Sequence, residues 1–125
     1  MAPSSAARPL LLIVDDDAAV LRALAFMAET RGYEVISCAT GAEALAELDR
    51  PVSCLILDQH LSDMQGIRLL GEIRSAGVRA PALLMTTSPS AALRSEAAAA
   101  GAPIVEKPLL DESLCQQIEN LLAGA

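Results

Sequence analysis

The 125-residue sequence has no tryptophan, a single tyrosine (Tyr33), a single phenylalanine (Phe26) and a single histidine (His60). Two aromatic rings cannot form the stacking platform on which single-stranded nucleic acids are held. Positive charge is also scarce. Nine Lys and Arg against sixteen Asp and Glu leave a net charge of −7, the opposite of the cationic face that neutralises duplex phosphates, so no direct DNA binding is expected. Cysteine is limited to Cys38, Cys54 and Cys115, an odd number without CxxC or Cys/His spacing, which excludes the common zinc sites and a disulfide framework. Each lies in an apolar stretch and reads as a buried thiol in a reducing compartment, so a cytoplasmic location is expected. The apolar run from Pro9 meets Asp15 too soon for a signal peptide or a membrane span of about 20 residues.

What is present is aliphatic. Hydrophobic residues make up 53% of the chain, enough to bury the core of one domain of this length. Residues 1–8 are small, Pro/Ser/Ala-rich and without periodicity, and are expected to be a disordered arm ahead of a domain at 9–123. Short apolar runs at Leu10–Val14, Glu34–Cys38, Ser53–Leu57, Ala82–Thr86 and Pro103–Val105 fit buried parallel strands. Helical patterns lie between and after them. The first is capped by Asp17, carries Val20, Leu24, Met27 and the stem of Arg31 on one stripe, and ends at Gly32. The second opens on the capping-box spacing of Thr40 and Glu43 and stops before Pro51. The third runs from Gly66 to Ser75, ending at Gly77, and the fourth from Ser90 to Ala100. The fifth begins near Asp111 and places Leu114, Ile118 and Leu121 on one face. Five strands each followed by a helix require right-handed crossovers, hence a doubly wound α/β domain with a parallel sheet covered on both faces.

In such folds ligands collect beyond the carboxyl ends of the strands, near the switch in strand order. There the sequence places Asp15, Asp16 and Asp17 after the first strand, Asp58 at the third, Thr86, Thr87 and Ser88 at the fourth, and Glu106, Lys107 and Pro108 at the fifth. Taken singly these residues have ordinary explanations: Asp17 is a helix cap, Asp15 or Asp16 a solvated turn residue, Lys107 a surface charge, Thr86 a β-branched strand residue. Together they are carboxylates that repel one another unless a hard cation sits among them, beside a hydroxyl and an ammonium suited to a phosphoryl group. Other phosphate architectures are missing, with no GxxxxGK[ST] loop, GxGxxG turn or GxSxG elbow. A flavin-binding protein of this topology is excluded by the acidic loop after the first strand, which would repel a phosphate.

Four segments, Leu12–Asp17, Leu57–Gly66, Pro81–Thr86 and Glu106–Pro108, resemble, in order and spacing, the receiver domains of two-component response regulators. The resemblance covers Leu10 to Leu122. It implies the flavodoxin-like strand order 2-1-3-4-5. It further implies that Asp58 is the phosphoacceptor for a histidine kinase or histidine phosphotransfer protein, the chain assisting its own phosphorylation and dephosphorylation without being an enzyme. Asp16, Asp58 and the backbone carbonyl of His60 would ligate Mg²⁺, with Asp15 acting through a bound water. Lys107 would pair with Asp58 and then with the phosphoryl oxygens, Thr86 would donate its hydroxyl and move inward, and the Lys107–Pro108 peptide would be cis. His60 and Ser88 stand where the family tunes the lifetime of the aspartyl phosphate. Ser62 replaces a usual proline, Thr87 a usual small residue, and Ile104 the usual aromatic switch residue.

For partners, Ala19, Val20, Ala23, Phe26 and Met27 on the first helix form the face expected to dock the helical bundle of the phosphodonor, with Phe26 partly exposed. The alanine-rich fourth helix, with Leu93 its only large apolar residue, is expected to be among the less stable elements. Only three residues follow the fifth helix, so the sequence reads as a stand-alone receiver working by protein contact or phosphorelay. A homodimer through the fourth and fifth helices is left open. The alternative is a pseudo-receiver, an interaction module that is not phosphorylated.

Overall fold

A computed structural model describes residues 8–107 and 112–124. The expected arm through residue 7, the cis Lys107–Pro108 peptide and the Asp111 cap lie outside the described residues. The strands are β1 (Leu10–Val14), β2 (Glu34–Cys38), β3 (Cys54–Asp58), β4 (Ala82–Thr86) and β5 (Ile104–Glu106). The helices are α1 (Ala18–Thr30), α2 (Gly41–Leu45), α3 (Gly66–Ser75), α4 (Ala91–Ala99) and α5 (Glu112–Gly124). All strand pairs are parallel and the order is β2-β1-β3-β4-β5, as the resemblance implied.

Every residue of β1, β3 and β4 is buried, which explains their unbroken apolar runs: both faces of the sheet are covered. Successive side chains go to opposite layers. Leu12, Val14, Leu55, Leu57 and Leu84 pack with Leu69, Leu70 and Ile73 of α3 and Leu93 and Ala97 of α4. Leu11, Ile13, Ile56, Leu83 and Met85 pack with Leu24 and Ala28 of α1 and Leu114 and Ile118 of α5. Strands β2 and β5 are the edges and are only partly buried, a departure from the expectation that all five runs are buried. Strands β3 and β5 each begin and end one residue later than read, which carries Asp58 and Glu106 into the ladder.

The caps follow the sequence closely. Asp17 accepts from the Ala19 and Val20 amides, and Gly32 takes the left-handed conformation, φ 89°, that ends α1. The buried stripe of α1 is Leu24 and Ala28, with Val20 and Met27 half-buried, while Arg31 falls on the exposed C-cap instead of the stripe. Helix α2 is shorter than expected. Its regular part ends at Leu45, and the chain reaches Pro51 through turns in which Glu47 donates to Ala44 and Arg50 to Glu47. The capping box at its start is real: Thr40 accepts from the Glu43 amide at 3.1 Å, while the Glu43 carboxylate reaches the Ala39 amide at 2.8 Å. The three cysteines are free and buried. Burial pushes the Cys54 thiol up to about 12 and Cys38 up to about 11, so neither supplies a thiolate at neutral pH.

Candidate functional site

The sheet register brings the strand ends together. Val14 pairs with Leu57, Asp58 with Met85, and Thr86 with Glu106, so the residues that follow β1, β3, β4 and β5 emerge at one edge. Asp15, Asp16 and Asp58 each offer a carboxylate oxygen, all within 4.8 Å of one another. Their environments differ sharply. Asp15 is fully buried and Asp58 nearly so, whereas Asp16 is exposed.

Asp15 is held from two sides: Oδ1 accepts from the Asp17 amide at 2.9 Å and Oδ2 from Lys107 Nζ at 2.8 Å. Lys107 also lies 3.2 Å from Asp58 Oδ1, so the ammonium bridges the two buried carboxylates instead of serving Asp58 alone. Burial opposes the charge on Lys107, but the hydrogen bonds and charges of Asp15 and Asp58 outweigh it and raise its pKa. Burial raises the pKa of Asp58, and the Asp15 charge adds to this against the pull of Lys107. Two closely set carboxylates with one ammonium leave an excess of negative charge at an all-oxygen site, a donor set that fits a hard divalent cation such as Mg²⁺.

Thr86 supplies the complementary observation. It is buried, and its Oγ1 has no hydrogen-bond partner among the described residues. A buried hydroxyl left unpaired weakens a fold unless some other group uses it. Thr87 and Ser88, which follow it, and His60, which follows β3, are exposed. Ile104 is half-buried against the α3–α4 layer. On α1, Ala19 and Ala23 are exposed, Val20 and Met27 half-buried, and Phe26 is 69% exposed.

Three residues at this edge were not singled out from the sequence. The side chain of Gln59 is buried and accepts from the Ile67 amide at 2.9 Å, supplying the cap that Gln65 does not. Asp63 accepts from the Gly41 and Ala42 amides at 2.9 and 3.0 Å. Gly66 packs so closely under the end of β3 that a Cβ there would clash with the Asp58 carbonyl oxygen. Only the last had a sequence signal, the spacing from Asp58 to Gly66. The other two contacts join positions whose proximity no local pattern encodes.

A doubly wound sheet with an acidic, lysine-countered pocket at its carboxyl edge is the architecture of receiver domains. The response regulator receiver domain model matches residues 11–119, and the chain belongs to that family of two-component signalling domains. It is 39% identical over 110 residues to the transcriptional regulatory protein KdpE of Mycobacterium tuberculosis, covering 86% of this chain and 48% of that protein. With the transcriptional regulatory protein GlrR of Escherichia coli the identity is 32% over 114 residues, covering 90% and 26%. The chain thus spans about half or less of the length of these curated relatives. Among solved structures, a CheY-like receiver domain protein from Methanospirillum hungatei aligns with a TM-score of 0.89 at 29% identity, covering 94% of this chain and 96% of that one. The chemotaxis protein CheY4 of Vibrio cholerae aligns at 0.87 and 28%, covering 93% and 100%. Among the described residues no helix is long and apolar enough to cross a membrane.

Proposed function

We propose that this receiver accepts a phosphoryl group on Asp58 in a Mg²⁺-dependent reaction, from a histidine kinase or histidine phosphotransfer protein, and passes the signal on by protein contact or phosphorelay. The observation that carries the reading is the buried Thr86 hydroxyl, without a partner among the described residues, at the same sheet edge as the Lys107-bridged pair of Asp15 and Asp58. A hydroxyl donor and an ammonium are what a phosphoryl group on Asp58 requires.

In the transfer an Asp58 carboxylate oxygen forms the new O–P bond as the bond from phosphorus to the donor breaks, its electron pair leaving with the donor. Lys107 is placed to leave Asp58 Oδ1 for a phosphoryl oxygen while keeping Asp15, and Thr86 to donate its hydroxyl to another. Asp16, Asp58 and the His60 carbonyl would hold Mg²⁺, which when bound offsets the charge gathering on the phosphoryl oxygens. Asp15, anchored by Lys107 and the Asp17 amide, fixes the floor of the site. The chain acts as a phosphoacceptor that assists its own chemistry and not as an enzyme turning over a separate substrate. The exposed face of α1 around Phe26 is the docking surface for the donor's helices.

The test is incubation with a small-molecule phosphodonor and Mg²⁺, read by intact mass and by acid lability. The wild type gains one phosphoryl group and Asp58→Asn gains none. Absence of the adduct on the wild type leaves a binding module without the chemistry.

A further inference from the structure

The loop from β3 to α3 carries the His60 carbonyl, and Ser62 within it is exposed. Contacts at both ends restrain it. At its near end Gln59 donates its amide to the Met85 carbonyl at 2.8 Å, accepts from the Gly66 amide at 2.9 Å, and accepts with its side chain from Ile67. At its far end Asp63 spans to another helix, one carboxylate oxygen on the Gly41 amide and the other on the Ala42 amide. The next residue, Met64, covers Gly41, where an added Cβ would stand 2.7 Å from the Met64 sulfur. Helix α2 already has its own capping box in Thr40 and Glu43. Asp63 and Met64 therefore fasten the loop to a helix start that carries a cap of its own.

We propose that Asp63 is a positioning residue of the acceptor site: by clasping the Gly41 and Ala42 amides it restrains the loop and so keeps the His60 carbonyl set for the divalent cation. Asp63 does not itself touch the cation. The proposal rests on the reading of Asp16, Asp58 and the His60 carbonyl as the Mg²⁺ site. A carboxylate that takes two backbone amides at once fixes both its position and its orientation, which one hydrogen bond does not. Outer residues that orient metal ligands in this way typically change affinity by 10- to 100-fold when removed.

The experiment is calorimetric titration of Mg²⁺ into the wild type, Asp63→Ala, Asp63→Asn and the double variant Ser62→Pro/Asp63→Ala, with amide hydrogen exchange on the metal-free proteins. Asp63→Ala should weaken Mg²⁺ binding about tenfold. It should speed exchange across residues 59–65 and at Gly41 and Ala42, while Ile56 and Leu84 in the sheet stay protected. Asp63→Asn, keeping one acceptor oxygen, should fall between. Among the described residues no hydrogen bond from the Ser62 amide is found, so a proline there removes none. In the double variant it should recover most of the affinity, a rescue that mere loss of a negative charge would not allow. Unchanged Mg²⁺ affinity in Asp63→Ala overturns the proposal, as does weakened affinity that the proline fails to restore. If Asp63→Ala does not fold, Asp63→Asn is judged by the same criteria. A wild type that binds no Mg²⁺ removes the site reading itself, and with it this proposal, and is recognised before any variant is compared.

Discussion

Lys107 Nζ donates to Asp15 Oδ2 at 2.8 Å, joining residues 92 positions apart in the chain, and this pair is shorter than the 3.2 Å contact from the same ammonium to Asp58. Lys107 therefore has an anchor independent of Asp58. An ammonium so held can shift one contact from the Asp58 carboxylate to a phosphoryl oxygen without losing its place.

Removing that ammonium leaves two buried carboxylates uncompensated. Lys107→Ala should cost about 3 kcal/mol of stability in the presence of a chelator, as broken buried pairs do. Saturating Mg²⁺, worth ~2.7 kcal/mol at 100 times its Kd, should stabilise this variant more than the wild type, because the cation replaces the lost charge. Denaturant unfolding with and without Mg²⁺ checks this, and an equal gain in both proteins counts against it.

The raised pKa of Asp58 has a definite sign for stability. A folded-state value above the unfolded one contributes stability that is present below the ordinary value of 3.8 and lost as pH rises through the folded value. The ionised, metal-free Asp58 thus weakens the fold near neutral pH. Asp58→Asn should melt higher than the wild type there in chelator, with the difference narrowing as the pH falls toward 3.8. Calorimetric scans across that range decide it, and a difference independent of pH would contradict the stated cause.

Thr86→Val separates stability from chemistry. Replacing a buried hydroxyl that has no partner among the described residues by a methyl group should stabilise the fold by about 1 kcal/mol. The same variant should take up phosphoryl groups from a small donor more slowly. A destabilised Thr86→Val would mean that the hydroxyl already has a partner in the resting protein.

Gly66→Ala tests the packing beneath Asp58. The added methyl group would meet backbone, clashing with the Asp58 carbonyl oxygen and standing 3.0 Å from Gln59 Cα. Backbone cannot rotate away as a side chain can, so the expected cost is about 2 kcal/mol or more. Urea midpoints measure it, and a neutral substitution would show that α3 is free to slide.

Phe26→Ala should leave stability within about 0.5 kcal/mol, since the ring is 69% exposed. Phosphorylation from a small donor should also be unaffected. Transfer from the cognate phosphohistidine protein should slow, and an equal rate with both donors would remove α1 as the docking face.

Much of this protein was legible in one dimension. The unbroken apolar runs of β1, β3 and β4, the Asp17 cap, the Gly32 stop and the alternation of strand with helix are local signals, because burial on both faces and helix capping act over a few residues. They determined the doubly wound class and placed Asp15, Asp58, Thr86 and Lys107 at strand ends. The early end of α2 was harder to read, since alanine and leucine favour a helix up to Pro51 and the turns after Leu45 are not marked by any breaker. The sharing of one ammonium between Asp15 and Asp58, the unpaired state of the Thr86 hydroxyl, and the grip of Asp63 on Gly41 and Ala42 were decided only by tertiary structure. Each depends on distances between segments far apart in the chain, and those distances are set by sheet register and helix packing, which local sequence does not encode.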